Sequence, residues 1–176
     1  MINSSGDGPD IDGDESAMAD DSKLRRKAKR GKRIRQVAAI PYRLDEQGGI
    51  EVLVITSQTT KRFVVPKGWP MKGKSGRKAA AIEARQEAGV VGKTRKDPAG
   101  RYFYWKRTSN SFVRVEVTVY LLEFLEQAPK WKEKRTRKRG WMTPAQAALL
   151  IDEPELASLV LALKGAASRS SPAQEA

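Results

Sequence analysis

The sequence contains no cysteine and no histidine among its 176 residues. The absence of cysteine excludes disulfide bonds, thiolate zinc sites and a catalytic thiol. The absence of histidine excludes a Ser-His-Asp triad, histidine-ligated zinc and a histidine general base. Acid–base or metal chemistry therefore falls to Asp, Glu, Lys or Tyr side chains. Oxygen ligands of this kind favour Mg²⁺ or Mn²⁺.

Long hydrophobic runs are also lacking. No stretch approaches the roughly 18 consecutive apolar residues that a membrane span needs. The first residues show no basic segment followed by an apolar run, so no secretory signal is predicted. Together with the missing cysteines, these features predict a cytoplasmic protein. Hydrophobic residues still make up 39% of the chain, enough to form a buried core.

Charge is abundant and unevenly distributed. The chain has 34 basic and 21 acidic residues, a net charge of +13. Residues 1–21 hold seven acids and no base, whereas residues 23–35 hold nine bases and no acid. This pattern predicts a disordered acidic-then-basic tail over residues 1–34, whose basic part is either a solvated arm or a contact with nucleic acid, such as RNA, or with acidic lipid. The remaining residues are basic overall, which favours an anionic partner such as a nucleotide, a polyphosphate or RNA.

Strand and helix patterns alternate between residues 35 and 165, which predicts one mixed α/β domain followed by a flexible tail over 166–176. The predicted strands are 37–44, 50–56, 62–66, 101–106, 112–124 and 140–142. The predicted helices are 77–88, 145–151 and a last helix from 153 or 155 to 164. Ser75 is a candidate N-cap of the first of these helices, and Gly89 is its candidate C-cap.

The helix over 77–88 carries the most informative chemistry. Glu83 and Glu87 lie four residues apart and therefore project from one helix face, with Gln86 beside them. Two neighbouring carboxylates repel each other unless a cation lies between them, and Mg²⁺ suits carboxylate oxygens. The glycine-bearing loop before the helix supplies backbone N–H groups and lysines that would attract an anion. Taken alone, this glutamate spacing is also common on solvated helix faces.

The segment resembles the Nudix box, whose pattern is G-x5-E-x7-R-E-U-x-E-E-x-G-U, where U is aliphatic. The matching residues are Gly68, Glu83, Glu87, Gly89 and Val90. The run 66–70, Pro-Lys-Gly-Trp-Pro, is similar to the entry of the box in the diphosphoinositol polyphosphate and dinucleoside polyphosphate hydrolases. Three positions depart from the pattern, because it has glutamate, arginine and glutamate where this sequence has Lys74, Ile82 and Gln86.

The resemblance implies a Nudix-type α/β/α sandwich with a mixed β-sheet. It also implies a Mg²⁺- or Mn²⁺-dependent hydrolase that cleaves a pyrophosphate linkage in a nucleoside diphosphate derivative, a dinucleoside polyphosphate or a diphosphoinositol polyphosphate. It assigns catalysis to Glu83 and Glu87 and metal binding to Glu83, Glu87 and Gln86. Candidate substrate-binding residues are Arg62, Lys67, Gly68, Lys72 and Lys74. The general base stays open among Glu83, Glu116 and Glu123.

The three departures support an alternative function. A site with fewer anionic ligands binds a hard cation more weakly, since affinity follows ligand charge. Without the arginine, the helix also lacks a group that orients a ligand. The alternative is a catalytically weak or inactive Nudix domain that binds a phosphorylated ligand or RNA. The resemblance also allows a homodimer, since Nudix proteins are often dimeric.

Overall fold

The computed structural model describes the backbone of residues 12–163 and the side chains of residues 20–163. Helices within this range are Asp12–Lys29 (α1), Gly76–Ala88 (α2), Pro144–Leu150 (α3) and Pro154–Ala162 (α4). Strands are Ile34–Leu44 (β1), Ile50–Thr56 (β2), Phe63–Val64 (β3), Lys67–Gly68 (β4), Val90–Thr94 (β5), Gly100–Arg107 (β6), Phe112–Gln127 (β7) and Arg139–Met142 (β8). No helix between residues 12 and 163 is long and apolar enough to cross a membrane. The flexible tail predicted over 166–176 lies outside the described residues.

The strands form one sheet with a central order β3-β2-β1-β7-β5, in which β4 pairs with β1, β6 with β7 and β8 with β2. The predicted hairpin is formed by β1 and β2, which pair antiparallel with Tyr42 opposite Val52. Its turn is held by the Asp45 side chain, which accepts hydrogen bonds from the N–H groups of Gln47 and Gly49 at 2.9 and 2.7 Å. The polar turn and the flanking β-branched residues thus specify this register.

Alternation along the strands divides the core between two faces of the sheet. Val37 and Ala39 of β1 pack with the alanines of α2, whose small side chains let the helix approach closely. On β6, Gly100, Tyr102 and Tyr104 share one face, and a side chain at Gly100 would collide with Leu159 of α4. Helices therefore cover both faces, which confirms the α/β/α sandwich.

The ends of α2 follow the sequence closely. Gly89 adopts a left-handed conformation with φ of +68°, and its N–H donates to the last turn of the helix. This is the C-cap that the glycine predicted, since residues with a Cβ rarely adopt this conformation. Ser75 occupies the N-cap position, but its side chain makes no capping hydrogen bond. The helix bounds fix which residues share the face of Glu83 and Glu87.

The chain divides into two compact units, residues up to Ile34 with Trp105–Val115 and Arg35–Tyr104 with the residues from Glu116 onward. In the first unit, the structure differs from the predicted disordered tail, because Asp12–Lys29 are helical. Arg26, Lys27 and Lys29 in the last turn of this helix complement the helix dipole. Asp21 also accepts a hydrogen bond from the Ser109 N–H at 2.8 Å. Residues 1–11 lie outside the described part.

Candidate active site

Glu87 is the buried centre of the candidate site. It lies in the last turn of α2 and is 8% exposed. Its Oε2 accepts a hydrogen bond from the backbone N–H of Lys67 in β4 at 3.0 Å. Its Oε1 accepts one from Arg137 Nη2 at 2.5 Å. Both carboxylate oxygens therefore have donors, one from the neighbouring strand and one from a cation.

Arg137 links this carboxylate to the loop between β7 and β8. Its Nε donates to Glu133, and its Nη1 donates to the backbone carbonyl of Thr56 at 2.9 Å. The backbone N–H of Glu133 in turn donates to the backbone carbonyl of Gln86 at 3.1 Å, so the loop is attached to α2 directly. With its side chain only 10% exposed, Arg137 is a fixed cation rather than a mobile surface group.

Glu83 lies one turn earlier, over the backbone of β4. A Cβ added to Gly68 would come within 2.2 Å of the Glu83 carboxylate, so a larger residue at Gly68 would displace this glutamate. The close approach gives a physical reason for glycine at the first position of the motif. Glu83 and Glu87 thus both reach the two-residue strand Lys67–Gly68, as their spacing predicts.

The electrostatic environment of both glutamates disfavours uncompensated negative charge. Burial raises the pKa of Glu87 to about 7, although the Arg137 guanidinium and the Lys67 N–H act in the opposite direction. Burial and the charge of Glu133 raise the pKa of Glu83, whereas Lys132 and Arg137 lower it. A cation placed between these carboxylates would stabilise their ionised forms.

The other predicted substrate-binding residues fall into two groups. Lys72 and Lys74 are exposed on the turn before α2, and Lys67 is half-buried beside the glutamates with its Nζ 5.3 Å from the centre of the Tyr104 ring. Arg62 instead lies next to the start of α4, with Nη1 3.1 Å from Asp152 Oδ2 and 3.6 Å from Glu153 Oε1. The structure therefore brings Lys67 and Gly68 to the glutamates and pairs Arg62 with acids elsewhere.

The donor set fits a hard divalent cation that shares its coordination with substrate. No group of three or more acidic side chains in the described residues is arranged to hold a metal ion alone. Mg²⁺ commonly binds one or two carboxylates and completes its shell with waters and substrate phosphates. Glu83 and Glu87 can supply those carboxylates, and Gln86, partly buried on α2, can supply a neutral oxygen.

The two strand candidates for a general base differ in environment. Glu116 is buried and forms ion pairs with Arg35 and Arg101 at 3.9 and 3.6 Å. Glu123 is exposed on β7. A further acid, Glu133, is joined to Glu87 through Arg137, which contacts both carboxylates. Sequence reasoning overlooked Glu133 and Arg137 at the site, although their i,i+4 spacing was a usable signal.

Comparison with known proteins identifies the family. A family model of the NUDIX domain matches residues 33–163, most of the chain. The chain belongs to the Nudix family. It is 32% identical over 126 residues to Nudix hydrolase 12, mitochondrial, of Arabidopsis thaliana, covering 61% of each chain. It is 33% identical over 117 residues to Nudix hydrolase 18, mitochondrial, of the same plant, covering 63% of this chain and 65% of the relative. The Nudix chain thus spans less than two thirds of the length of these relatives.

Solved structures support the same fold. An Ap4A hydrolase binary complex from C. elegans aligns with a TM-score of 0.58 at 18% identity, over 77% of this chain and 98% of that one. The NUDIX domain of Shewanella oneidensis NrtR, complexed with ADP ribose, aligns with a TM-score of 0.56 at 13% identity, over 74% and 88%. At these identities the likeness establishes the Nudix fold and nothing about the ligand.

Proposed function

We propose that this Nudix domain is a Mg²⁺- or Mn²⁺-dependent pyrophosphohydrolase. Its substrate would be a nucleoside diphosphate derivative, a dinucleoside polyphosphate or a diphosphoinositol polyphosphate. The observation that supports this function is the convergence of Glu83 and Glu87 on the Lys67–Gly68 backbone. Two neighbouring carboxylates beside lysines suit a cation that bridges the protein and a pyrophosphate.

Each side chain of the site has a role in this proposal. The bound cation would neutralise phosphate charge and lower the pKa of the attacking water. Glu83 and Glu87 would hold it, with Gln86 as a neutral donor. Arg137 keeps the Glu87 carboxylate in place through the 2.5 Å hydrogen bond. The exposed lysines Lys72 and Lys74 would bind the phosphate groups on either side of the bond that is cleaved.

Product release from a panel of substrates tests the proposal. The panel contains ADP-ribose, diadenosine tetraphosphate and a diphosphoinositol polyphosphate, each with and without Mg²⁺ or Mn²⁺. We expect Glu87→Gln to lower turnover by about 100-fold or more, since even partners of metal ligands contribute 10–100-fold. The matched control is Glu126→Gln, which neutralises an exposed glutamate of β7. Turnover without any divalent cation, or equal rates in both variants, would contradict the metal assignment.

The alternative function is a Nudix domain that binds a phosphorylated ligand with little or no turnover. Lys74, Ile82 and Gln86 favour it, because each replaces a charged group of the family pattern. The variant Gln86→Glu separates the two functions, since it restores a carboxylate beside Glu87. A gain in turnover together with tighter Mn²⁺ binding would show that the scaffold lacks one ligand. No turnover in either protein, with retained ligand binding, would favour the alternative.

RNA binding through α1 is a second candidate function, supported by the exposure of its basic side chains. Lys23, Arg26, Lys27 and Lys29 are exposed, as is Arg30 directly after the helix. RNA affinity that falls steeply with salt, and that is lost in the variant Arg26→Gln/Lys27→Gln/Lys29→Gln and on deletion of residues 1–35, would support this function. Salt-insensitive or absent binding would exclude it.

A homodimer and a cytoplasmic location complete the proposal. The first is checked by light scattering of the full chain, and a monomeric mass would contradict it. The second is checked by fractionation, in which recovery in an organelle would contradict it.

A further inference from the structure

Two exposed aromatic side chains lie near the tip of the hairpin formed by β6 and β7. Trp105 is 65% exposed and Phe112 is 63% exposed, although both residue types are usually well buried in folded proteins. Neither residue takes part in the site described above. Both belong to the compact unit that contains Trp105–Val115 and the residues up to Ile34. The hairpin tip therefore presents aromatic surface that the folding of this unit leaves in water.

A tight turn determines which residues of the tip share a face. The Thr108 N–H donates to the Ser111 carbonyl at 2.8 Å, which pairs these two residues across a two-residue loop. The residue before Thr108 then lies opposite the residue after Ser111, and alternate residues of each strand point to the same side. The exposed side chains that share one face are Trp105, Arg107, Phe112 and Arg114. We call this face the hairpin platform.

Aromatic and basic side chains alternate on the hairpin platform. Each ring is followed two residues later by an arginine on its own strand and lies opposite the arginine of the other strand. The two rings are diagonal neighbours, which are about 7–8 Å apart in an antiparallel pair. Stacked bases of a duplex follow each other at only about 3.4 Å per strand. The platform therefore suits unstacked bases of a single strand, each on a ring of its own.

Helix α1 is fixed to the tip of the same hairpin. Asp21 accepts a hydrogen bond from the Ser109 N–H at 2.8 Å, and Arg25 donates to Asn110 Oδ1. Leu24 lies on the same side of the helix and is 5% exposed. One side of α1 thus lies against the turn, and the exposed bases of the helix are held beside the hairpin.

Two cavities lie along α1 and lead to the hairpin platform. The first has a volume of about 390 Å³, and no acid among the described residues lines it. It is lined by Ser22 and four cations, Arg25, Arg26, Lys29 and Arg30. The second has a volume of about 360 Å³, shares Arg25 and Lys29 with the first and extends to Phe112. Cations around an open cavity suit phosphate groups, which arginine binds through paired N–H donors.

The charge of this unit indicates a polyanionic partner. Residues 20–34 carry eight bases and two acids, and residues 105–115 carry three bases and no acid. An acidic peptide or an inositol phosphate would pair with the cations but leave both rings of the platform without a partner. Single-stranded RNA offers phosphates and accessible bases together, so it matches the charge and the aromatic surface.

We infer that the hairpin platform and α1 form a binding site for single-stranded RNA. Phosphates of the strand lie in the cavity beside Arg25 and Lys29, while one base stacks on Trp105 and another on Phe112. The inference rests on the RNA-binding candidate above and extends it from α1 to the hairpin. It is independent of the proposed pyrophosphohydrolase activity, because none of these residues belongs to the candidate active site.

Fluorescence anisotropy of the full chain in EDTA tests this site. The probe is a labelled oligouridine of about 12 nucleotides, a length in the range of single-strand binding sites. Trp105→Ala and Phe112→Ala should each weaken binding about fivefold or more, since each removes a stacking partner. The salt dependence of the affinity should stay unchanged in both. Arg26→Gln/Lys29→Gln should instead lower the slope of log affinity against log salt by about 1.4, since two phosphate contacts are lost.

The controls separate stacking from general apolar contact. Leu44→Ala removes a side chain that is also 63% exposed but lies outside this unit, and RNA affinity should stay within about twofold of the wild type. Trp105→Phe keeps a ring and should retain most of the affinity, whereas Trp105→Leu should not. Since the substituted side chains are exposed, every variant should melt within a few degrees of the wild type.

The outcomes distinguish this site from the functions proposed above. If both alanine variants of the rings bind RNA like the wild type, or if an RNA duplex binds as tightly as the single strand, the platform is wrong and RNA binding through α1 stands. Tighter binding to phosphatidylserine vesicles, lost in the same two variants, would overturn the inference in favour of an acidic membrane. If the wild type binds no RNA, the RNA candidate fails as well, and pyrophosphate hydrolysis is unaffected.

Discussion

Two buried glutamates of this Nudix domain, Glu87 and Glu153, have the same exposure and opposite hydrogen-bonding states. Each is 8% exposed, and each faces an arginine. Glu87 receives donors on both oxygens, from Arg137 at 2.5 Å and from the Lys67 N–H at 3.0 Å. Glu153 has its arginine at 3.6 Å, and its Oε2 has no partner in the described chain.

The difference is between a buried carboxylate whose charge is compensated by donors and one whose charge is compensated only in part. At Glu87 the protein surrounds a carboxylate with fixed donors, which suits a site that holds a cation and phosphates together. At Glu153 it leaves one buried oxygen without a donor from the described residues, which is unfavourable for a charged group. Removing the charge or its arginine partner is therefore expected to change the free energy of unfolding differently at Glu87 and at Glu153.

The largest expected effect comes from removing the arginines. Arg137→Ala should lower the free energy of unfolding by about 3–5 kcal/mol, because it leaves Glu87 and Glu133 without their shared cation. Arg62→Ala should lower it by only about 1 kcal/mol, since the Arg62 side chain is 42% exposed and its pairs are screened by water. Urea unfolding of both variants measures this difference. Equal losses would mean that the two glutamates depend on their arginines to the same extent, which would contradict this expectation.

A somewhat smaller effect is expected from pH. The pKa of Glu87 is about 7 in the folded protein, whereas an unperturbed glutamate, which represents the unfolded chain, has a pKa of 4.5. Between these values the unfolded chain releases its proton first, so rising pH favours unfolding, and above about pH 7 both states are ionised. The loss of stability is on the order of 3 kcal/mol. It is complete near pH 8 and absent below pH 4.5.

The measurement is the free energy of unfolding at pH 5, 6, 7 and 8 in buffer containing EDTA. Wild type should lose about 2.5 kcal/mol more than Glu87→Gln over this range, because the amide does not titrate. Glu126→Gln, in which an exposed glutamate is neutralised, should follow the wild type. Parallel curves for wild type and Glu87→Gln would show that Arg137 compensates the ionised carboxylate fully.

The sequence predicts the positions of Glu83 and Glu87 on α2 much better than it predicts the distant arginines that contact buried acids. The spacing of Gly68, Glu83, Glu87 and Gly89 is local, so helix periodicity and a glycine cap are sufficient to place both carboxylates on one face of α2. The partner of Glu87 lies 50 residues away in sequence. The i,i+4 spacing of Glu133 and Arg137 indicates a pair within that loop, but nothing local indicates that Arg137 also reaches α2. Arg62 reaches Asp152 across 90 residues. Such contacts depend on the packed sheet, which composition and periodicity do not determine.

The smallest change in stability is expected for Glu153→Met, which tests whether the poorly satisfied charge of Glu153 opposes folding. Methionine has a similar volume and no oxygen to leave without a donor, and Arg62 keeps Asp152 as a partner. Replacing a poorly satisfied buried charge by an apolar side chain is commonly neutral or favourable, so we expect between no change and a gain of ~1 kcal/mol. A loss of more than about 2 kcal/mol in urea unfolding would instead make Glu153 a structural residue that resembles Glu87.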